Sequence, residues 1–369
     1  MSLPLITKTL VLRLTFCFVL LTLSLTSGPQ NYGESDVNNN AAKPESRINT
    51  YSSGLNPAIS IQDSDTSGGN ASSDLEKAVI IMFDRAYDTQ FLYAKPILDK
   101  YGFKVSFFVI CSFVEGTGYH KLSNGTELYH NYTNSMNWDQ IRQLYEEGHD
   151  VQSHGMEHRD LRQLSLEGLE REIGGSKECL EKNGLKPAFF QFPSNKGHDN
   201  ITVLKMISKF FDYGLSDHSK LMFLNCDGWV NHGYKTQSYK YQYNCNPFNA
   251  DGTPTRTNKY AIREWSHDRE HTRLNEKNPQ LSPHSAQMSD LLFNEFVSVV
   301  ESQNIYNSNA GKIVAFPIIG YHFIGNSSKF DTSIELFDRE MEYLHNNGYK
   351  VLQFSDLSYD DVNHYFYIK

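Results

Sequence analysis

Two histidines four residues apart are the first feature of this sequence that could carry chemistry. His154 and His158 lie in the run VQSHGMEH at 151–158. This spacing is a common way to place two imidazoles on one metal ion. The chain contains 14 histidines, however, and a second pair at the same spacing, His267 and His271, shows that a chance pair is a real alternative. Spacing alone therefore decides nothing.

The context of the two pairs separates them, because ionisable residues end three segments that are predicted to be buried strands. These segments and the residues that end them are AVIIMF with Asp84 and Arg85, DVQS with His154, and IVAFPIIG with Tyr321 and His322. In α/β folds, functional residues gather at the carboxyl ends of parallel strands. We therefore expect these residues on one rim. The 154/158 pair is favoured as functional over the 267/271 pair, which lies among charged residues.

The elements that must position these residues alternate along the chain. From residue 77 onward, short β-branched or aromatic runs alternate with segments that have a helical period. This alternation predicts parallel βαβ units, arranged either as a barrel or as an open doubly wound sheet. The sequence contains no GxGxxG, P-loop or G-x-S-x-G motif, which disfavours nucleotide binding and a serine-hydrolase elbow.

The N-terminus predicts export. Lys8 and Arg13 precede a short apolar segment at 14–25 and a small, polar exit, a pattern typical of a signal peptide, with an uncleaved N-terminal anchor as the alternative. The predicted organisation is a signal peptide or anchor at 1–28, a disordered polar tether at 29–76, and a folded domain at 77–369 with an irregular insert at about 217–285. We expect an extracytoplasmic location, secreted or anchored at the cell surface, with any membrane attachment through the N-terminus only.

The net charge limits the classes of binding partner, and the cysteines bear on whether the compartment is oxidising. The net charge is −9 with no basic run, which argues against nucleic acid as a partner. The four cysteines beyond the apolar segment form no C-x-x-C pair. In an oxidising compartment Cys226 and Cys245 are expected to form a disulfide. Cys111, at the end of an apolar strand, is interpreted as a buried small hydrophobe.

The motifs, in this order, resemble the polysaccharide deacetylase family, carbohydrate esterase family four. They read MFDR (82–85), SHGMEH (153–158), QFP (191–193) and IGYH (319–322). The segments at 94–111, 138–154 and 337–357 also look like the family. The resemblance covers about residues 77–358 and is weakest from 217 to 285.

The resemblance implies a fold and a reaction. The fold would be a distorted (β/α) barrel of about seven parallel strands, with a groove for an N-acetylated glycan. By the same resemblance Asp84 is the general base, and His322 protonates the departing amine. His154 and His158 would hold a divalent metal, with zinc as the expected ion, that polarises water and the acetamide carbonyl.

Two positions depart from the family pattern. Arg85 stands where the family has its third metal ligand, and a guanidinium has no lone pair to give a metal. Gln191 stands where the family has the arginine that orients the base. Arg85 could pair with Asp84 or face the oxyanion, and Arg263 could orient the base in place of the missing arginine.

Three further residues complete the predicted substrate-binding or supporting set: Pro193, Trp265 and Tyr321. Each has a structural alternative, since a tryptophan is often a core residue and Tyr321 fits packing. His322 could likewise be a core histidine. Asp84 and Arg85 could form an ordinary ion pair at a strand end.

Three functions are therefore open. The first is an exported, metal-assisted hydrolase that removes N-acetyl groups from a polysaccharide or glycan. The second is a catalytically impaired relative that binds glycan at the cell surface, which Arg85 and Gln191 make credible. The third is a glycosidase that uses a carboxylate pair such as Asp84 and Asp268. Released acetate distinguishes the first from the other two, and a shortened glycan identifies the third.

Overall fold

A computed structural model of the chain describes residues 77–121, 127–131, 134–225, 257–325 and 331–369. The strands in these ranges are β1 (Lys77–Asp84), β2 (Ser106–Val109), β3 (Thr117–Lys121), β4 (Glu127–Asn131), β5 (Asp150–Ser153), β6 (Phe189–Gln191), β7 (Tyr213–His218), β8 (Met222–Phe223), β9 (Ile262–Ser266), β10 (Ala315–Phe316), β11 (Ile318–Tyr321), β12 (Tyr349–Leu352), β13 (Leu357–Asp360) and β14 (Tyr365–Ile368).

The helices surround the sheet in the order in which the alternation predicts them. They are α1 (Lys95–Tyr101), α2 (Trp138–Glu146), α3 (Leu166–Leu169), α4 (Gly175–Lys182), α5 (Ile201–Phe210), α6 (His267–Lys277), α7 (Ala286–Glu301), α8 (Asn304–Ala310) and α9 (Ile334–Asn346). No helix in the described ranges is long and apolar enough to cross a membrane.

Seven parallel strands close into a barrel. Their order is β1, β2, β5, β6, β7, β9 and β11, and β11 pairs back onto β1, so the ring has no open edge. Strand β12 adds parallel to β1 outside this ring. The (β/α) barrel that the family resemblance implied is confirmed, and the alternative of an open doubly wound sheet is excluded.

Successive side chains of a strand point to opposite faces of the sheet, so β1 contributes to two separate cores. Ala78, Ile80 and Met82 pack in a cluster with residues of five other barrel strands, which places that cluster inside the barrel. Val79, Ile81 and Phe83 pack in a second cluster with residues of α1, α2, α7 and α9, between the barrel and its helices. The continuous apolar run of β1 follows from burial on both faces.

Three elements differ from the sequence interpretation. The run IVAFPIIGYH forms two strands, β10 and β11, because Pro317 between them has no N–H to donate to a ladder. The helical period from 165 to 183 predicts one continuous helix, but a π-helical segment, Glu170–Gly174, lies between α3 and α4. Helix α6 lies inside the region expected to be an irregular insert, and its charged residues concealed a buried face.

A disulfide joins Cys111, after β2, to Cys179 on α4. The interpretation of Cys111 as a free buried hydrophobe was therefore wrong, although the residue is buried. The position of Cys111 at the end of an apolar strand does not indicate that it forms a disulfide with a cysteine 68 residues away. Cys226 and Cys245 lie outside the described residues, and their pairing stays a prediction.

Candidate active site

Strand alternation carries polar side chains to one mouth of the barrel. Asp84 is the next residue after Met82 in the series of β1 that faces the interior, and it is only 3% exposed. Glu264 follows Ile262 in the same way on β9, and Gln191 follows Phe189 on β6. The parallel arrangement places all these strand ends at the same mouth.

Asp84 is the centre of this site. Its Oδ2 atom accepts a hydrogen bond from Gln191 Nε2 at 3.0 Å and lies 3.2 Å from His322 Nε2. Its Oδ1 atom is buried and has no hydrogen-bond partner among the described residues. Gln90, also buried, donates from Nε2 to the carbonyl oxygens of Asp84 and His322, at 2.7 and 2.6 Å. The backbones that carry the two reactive side chains are therefore fixed to each other.

His322 lies between two carboxylates. Its Nδ1 atom is 2.6 Å from Asp268 Oδ2, and its backbone N–H donates to the same oxygen at 3.1 Å. Asp268 lies in the first turn of α6, directly after β9. The result is a row of three groups, Asp268, His322 and Asp84, with the half-buried imidazole in the middle.

The charges in this row shift both titrations. Burial raises the pKa of Asp84, and the positive charge of His322, the Gln191 hydrogen bond and Arg85 offset only part of that shift. Burial alone would lower the pKa of His322, but the charge of Asp84 and the hydrogen bond and charge of Asp268 raise it above its usual value. A raised pKa favours the protonated form of His322, which can act as an acid.

Glu264 adds a third buried carboxylate to the same mouth. Burial, followed by the negative charges of Asp84 and Asp268, raises the pKa of Glu264 well above its usual range. The side chain lies against Gly320, where a Cβ atom would approach Oε2 to 2.5 Å. Position 320 on β11 must therefore be a glycine while Glu264 occupies this place.

His154 and His158 lie beside each other, with ring centroids 4.7 Å apart and nearly perpendicular planes. His154 Nδ1 is 3.2 Å from the carbonyl oxygen of Gln191, which can only accept, so this nitrogen carries the proton. Burial lowers the pKa of both rings, with further lowering by nearby positive charges that include Arg85, and the pKa of His158 falls to about 3. Both imidazoles are therefore neutral at physiological pH.

The loop that carries His158 is held by Glu172. The carboxylate of this buried residue accepts hydrogen bonds from the backbone N–H of Glu157, at 3.0 and 3.1 Å, and of Arg159, at 3.2 Å. Gly155 has φ +89°, and a Cβ there would meet Glu172 Oε1 at 2.6 Å. His158 itself has φ +59°, a left-handed conformation that is uncommon outside glycine. The anchored loop maintains this geometry.

Arg85 follows Asp84 in a left-handed backbone conformation, with φ +74°. Its backbone N–H donates to the carbonyl oxygen of Phe108 at 2.8 Å, which fixes the residue between β1 and β2. Its positive charge lowers the pKa of Asp84, His154 and His158 and opposes protonation of His322. The guanidinium is therefore the permanent cation of this site.

The donor set does not fit the three-ligand metal that the resemblance implies. Two neutral imidazoles suit a late divalent ion. Arg85 occupies the third sequence position, however, and cannot donate a lone pair. Over the described ranges, no three His, Cys, Asp or Glu side chains are grouped so as to hold a metal. Asp268, which could have supplied a carboxylate, is bound to His322 instead. We therefore derive no step through a metal.

The remaining predicted residues lie at different distances from the site. Pro193 is buried, and its ring lies beside Gly155, where an added Cβ atom would be 3.5 Å from Pro193 Cγ. Pro193 therefore packs against the loop that carries His158. Trp265 is 6% exposed and packs in the cluster between barrel and helices. Tyr321 is fully buried and donates its hydroxyl to Glu340 at 2.8 Å. These last two are core residues and are not placed to contact a glycan.

Arg263 is not brought to Asp84. It precedes Glu264 on β9, so its side chain leaves the opposite face of the strand, where it lines a small cavity with Met222 and Phe366. Gln191 holds the Asp84 carboxylate instead. A glutamine keeps the N–H donor that the family's arginine would supply, although it has no charge.

The sequence interpretation missed Glu264 and Glu172, and it considered Asp268 as a possible glycosidase carboxylate and not as the partner of His322. Asp268 had a usable signal, because it lies two residues after the strand end at Ser266. Asp268 lies between the histidines of the pair His267 and His271. Both of these histidines are buried in the fold, and His267 Nε2 lies 2.8 Å from Glu340 Oε1. Glu172 had no signal, since its contacts depend on a loop 15 residues away.

Comparison with known proteins decides the family. Residues 71–210 match the family model described as Polysaccharide deacetylase. These residues belong to the polysaccharide deacetylase family. The match covers β1 to α5 of the barrel and includes Asp84, His154 and His158, whereas Asp268 and His322 lie beyond it. The family that the motifs suggested is confirmed.

A curated relative supports the same family. "Putative polysaccharide deacetylase YxkH" of Bacillus subtilis (strain 168) is 26% identical over 106 residues, which are 29% of this chain and 32% of that protein. The match thus spans about a third of the relative's length.

Similar solved structures have low scores. The peptidoglycan deacetylase PdaC from Bacillus subtilis is 16% identical, with 76% of this chain and 90% of that chain covered and a TM-score of 0.40. The Xyl-CE4 domain of a multidomain xylanase from the hindgut metagenome of Trinervitermes trinervoides is 15% identical, with coverages of 76% and 88% and a TM-score of 0.39. BA3943, a CE4 family pseudoenzyme from Bacillus anthracis, is 15% identical, with coverages of 76% and 64% and a TM-score of 0.41. The fold assignment rests on the strand pairings and not on these scores.

Proposed function

We propose that this protein is an exported hydrolase that removes N-acetyl groups from a polysaccharide or glycan. The observation that carries the proposal is the row formed by Asp268, His322 and Asp84. It places a carboxylate 3.2 Å from an imidazole that a second carboxylate holds at 2.6 Å. Hydrolysis of an unreactive amide needs a base to activate water and an acid to protonate the leaving nitrogen, and both groups lie together at this mouth of the barrel.

In the proposed reaction, Asp84 accepts a proton from a water molecule as the water oxygen bonds to the acyl carbon. The resulting tetrahedral intermediate then collapses as its C–N bond breaks. Protonated His322 gives its Nε2 proton to the leaving nitrogen, which yields acetic acid and a free amine. Because Asp84 Oδ2 and His322 Nε2 are 3.2 Å apart, the proton on Asp84 can return to His322 and reset both groups.

The positioning residues support these roles. Gln191 orients the base, Asp268 orients the acid and favours its charged form, and Gln90 joins the two backbones. Zinc is the divalent metal expected here. Among the described side chains of the site, its ligands would be His154 and His158, and the positive charge of Arg85 would lie close to it. The proposal therefore does not depend on a metal.

A second function has one observation in its favour. Arg85 in place of a metal-binding carboxylate would suit a relative that binds glycan without hydrolysing it. A glycosidase is less favoured, because Asp268 is hydrogen-bonded to His322 and is not free to act as the partner carboxylate of Asp84.

Export is part of the proposal. The disulfide between Cys111 and Cys179 supports an oxidising compartment, which agrees with the apolar segment near the N-terminus. The proposed partner is an N-acetylated glycan. We expect no nucleic acid partner at a net charge of −9, and membrane attachment only through the N-terminus.

The test is the stoichiometry of products from N-acetylglucosamine oligomers and from other N-acetylated glycans. The purified full-length protein should release acetate and expose free amines in equal amounts. A glycan that is shortened without acetate would indicate a glycosidase. Binding of an oligomer without any product would replace the hydrolase with the glycan-binding function.

A further inference from the structure

Arg85 differs from five other arginines of the domain in having no anionic partner. Those five each lie within 4.0 Å of a carboxylate: Arg142, Arg162, Arg171, Arg273 and Arg339. Arg85 has no such ion pair with any residue of the described ranges, and its Nε atom is buried without a hydrogen-bond partner. A buried, unused donor on a permanent cation is unfavourable unless a ligand accepts from it.

The backbone around Arg85 is held in an unfavourable conformation. Arg85 and Ala86 are consecutive left-handed residues, with φ +74° and +63°, and neither is a glycine. The hydrogen bond from the Arg85 amide to Phe108 fixes this turn at the barrel mouth. Such conformations persist where the surrounding structure imposes them, and they are concentrated at functional sites.

The surroundings of Arg85 leave its charge available. Asp84 is hydrogen-bonded to Gln191 and paired with His322, and Asp268 is also paired with His322. Each of these nearby carboxylates thus has a partner other than Arg85.

We propose that Arg85 binds the acyl carbonyl oxygen of the substrate, and the carboxylate of released acetate, in place of a metal ion. This inference rests on the proposed function and names its electrophilic group. A guanidinium has several N–H donors in a planar fork that matches a carboxylate, and its charge stabilises the oxyanion that forms on the carbonyl oxygen. A divalent cation beside it would be repelled.

The test measures acetate binding and not activity. Acetate is titrated calorimetrically into the full-length protein in excess chelator. The wild type should bind, and Arg85→Ala should bind at least about 10-fold more weakly, since a charge-assisted hydrogen bond is lost. Arg85→Lys should lie between them, because it keeps the charge and loses the fork. The control is Arg162→Ala, which removes an exposed arginine that pairs with Asp160 and should leave binding unchanged.

A second arm measures zinc uptake by the same proteins. Arg85→Asp should bind Zn²⁺ at least about 10-fold more tightly than the wild type, because a carboxylate then joins two imidazoles. Arg85→Asp combined with His154→Ala should lose that gain. Near-ultraviolet circular dichroism of each variant confirms its fold before titration.

Three results would overturn the inference: no acetate binding by the wild type, equal binding by folded Arg85→Ala, or binding that appears only after Zn²⁺ is added. These outcomes are separate from the fate of the proposed function. A wild type that binds acetate through Arg85 but releases none from any glycan would retain the anion site and remove the hydrolase. Acetate release that requires Zn²⁺ and persists in Arg85→Ala would retain the hydrolase and remove the anion site at Arg85.

Discussion

His322 Nδ1 lies 2.6 Å from Asp268 Oδ2, and the same oxygen accepts the backbone N–H of His322 at 3.1 Å. One carboxylate atom thus holds both the ring and the main chain of the residue. The opposite ring nitrogen, Nε2, is directed to Asp84 at 3.2 Å. Asp268 therefore fixes the orientation of the imidazole and favours its protonated form.

Asp268→Asn should move the alkaline limb of the pH–activity profile to lower pH. The acid must be protonated, so activity falls as pH rises through the pKa of His322. Removing the Asp268 charge removes one cause of the raised pKa. The measurement is kcat/KM for acetate release across pH. Asp290→Asn, which changes an exposed carboxylate paired with Arg339, is the control and should leave the limb in place. An unshifted limb in Asp268→Asn would contradict this role.

Gln191→Leu should move the acidic limb to higher pH. The base must be ionised, and the Gln191 hydrogen bond is one of the effects that hold down the raised pKa of Asp84. Its loss should also lower kcat about 10- to 100-fold, because the carboxylate is no longer oriented. Gln191→Arg restores an N–H donor and should recover part of kcat. If Leu and Arg at this position gave the same profile, the hydrogen bond would have no part in catalysis.

Glu172 should make the domain less stable as pH rises. Burial, partly offset by its backbone hydrogen bonds, raises the pKa of this carboxyl from 4.5 to about 7 in the folded protein. The stability from its protonated form is therefore complete below pH 4.5 and is lost as pH rises through 7, a difference on the order of 3 kcal/mol.

Urea unfolding at pH 4.5 and pH 8, with the disulfide intact, measures this effect. Glu172→Gln stays neutral and keeps an acceptor for the backbone of the His158 loop, so its stability should change less between the two pH values. Glu335→Gln, on an exposed position of α9, should behave as the wild type. Equal changes in all three proteins would show that Glu172 does not titrate as described.

The disulfide should contribute substantially to stability. It closes a loop with a sequence separation of 68 residues, for which the chain-entropy model gives about 4 kcal/mol. Cys111→Ala/Cys179→Ala should therefore unfold at lower urea concentration. Reductant should destabilise the wild type, whereas the double variant, which lacks the disulfide, should keep the same stability with and without reductant. Peptide mapping that finds both cysteines as free thiols in exported protein would contradict the bond.

The parallel βαβ units were predictable from the alternation of strand-like and helical segments, and the family resemblance implied that they close into a barrel. Pattern and position together placed Asp84, His154 and His322 on one rim. Pairings between distant elements were not predictable. The bond from Cys111 to Cys179 and the contact from Glu172 to the His158 loop depend on how α4 and its neighbours pack, which periodicity does not encode.

Helix α6 shows a second limit. Its sequence, HDREHTRLNEK, is so polar that the apolar pattern predicts an irregular insert here. The buried residues of this helix are nevertheless polar ones, His267, Asp268, Glu270 and His271, since polar partners such as Glu340 and His322 meet them. Hydrophobic patterns do not reveal a helix that is buried by hydrogen bonding.

Acetate release from an N-acetylglucosamine oligomer by the wild type, Asp84→Asn and His322→Gln tests the proposed chemistry most directly. The wild type should release acetate with one free amine for each. Asp84→Asn and His322→Gln should each lower kcat about 100-fold or more, and the double variant should lose little beyond the worse single change, because base and acid act as one unit. The proposed chemistry would be contradicted if Asp84→Asn released acetate as fast as the wild type. It would also be contradicted if the wild type released no acetate from any N-acetylated glycan.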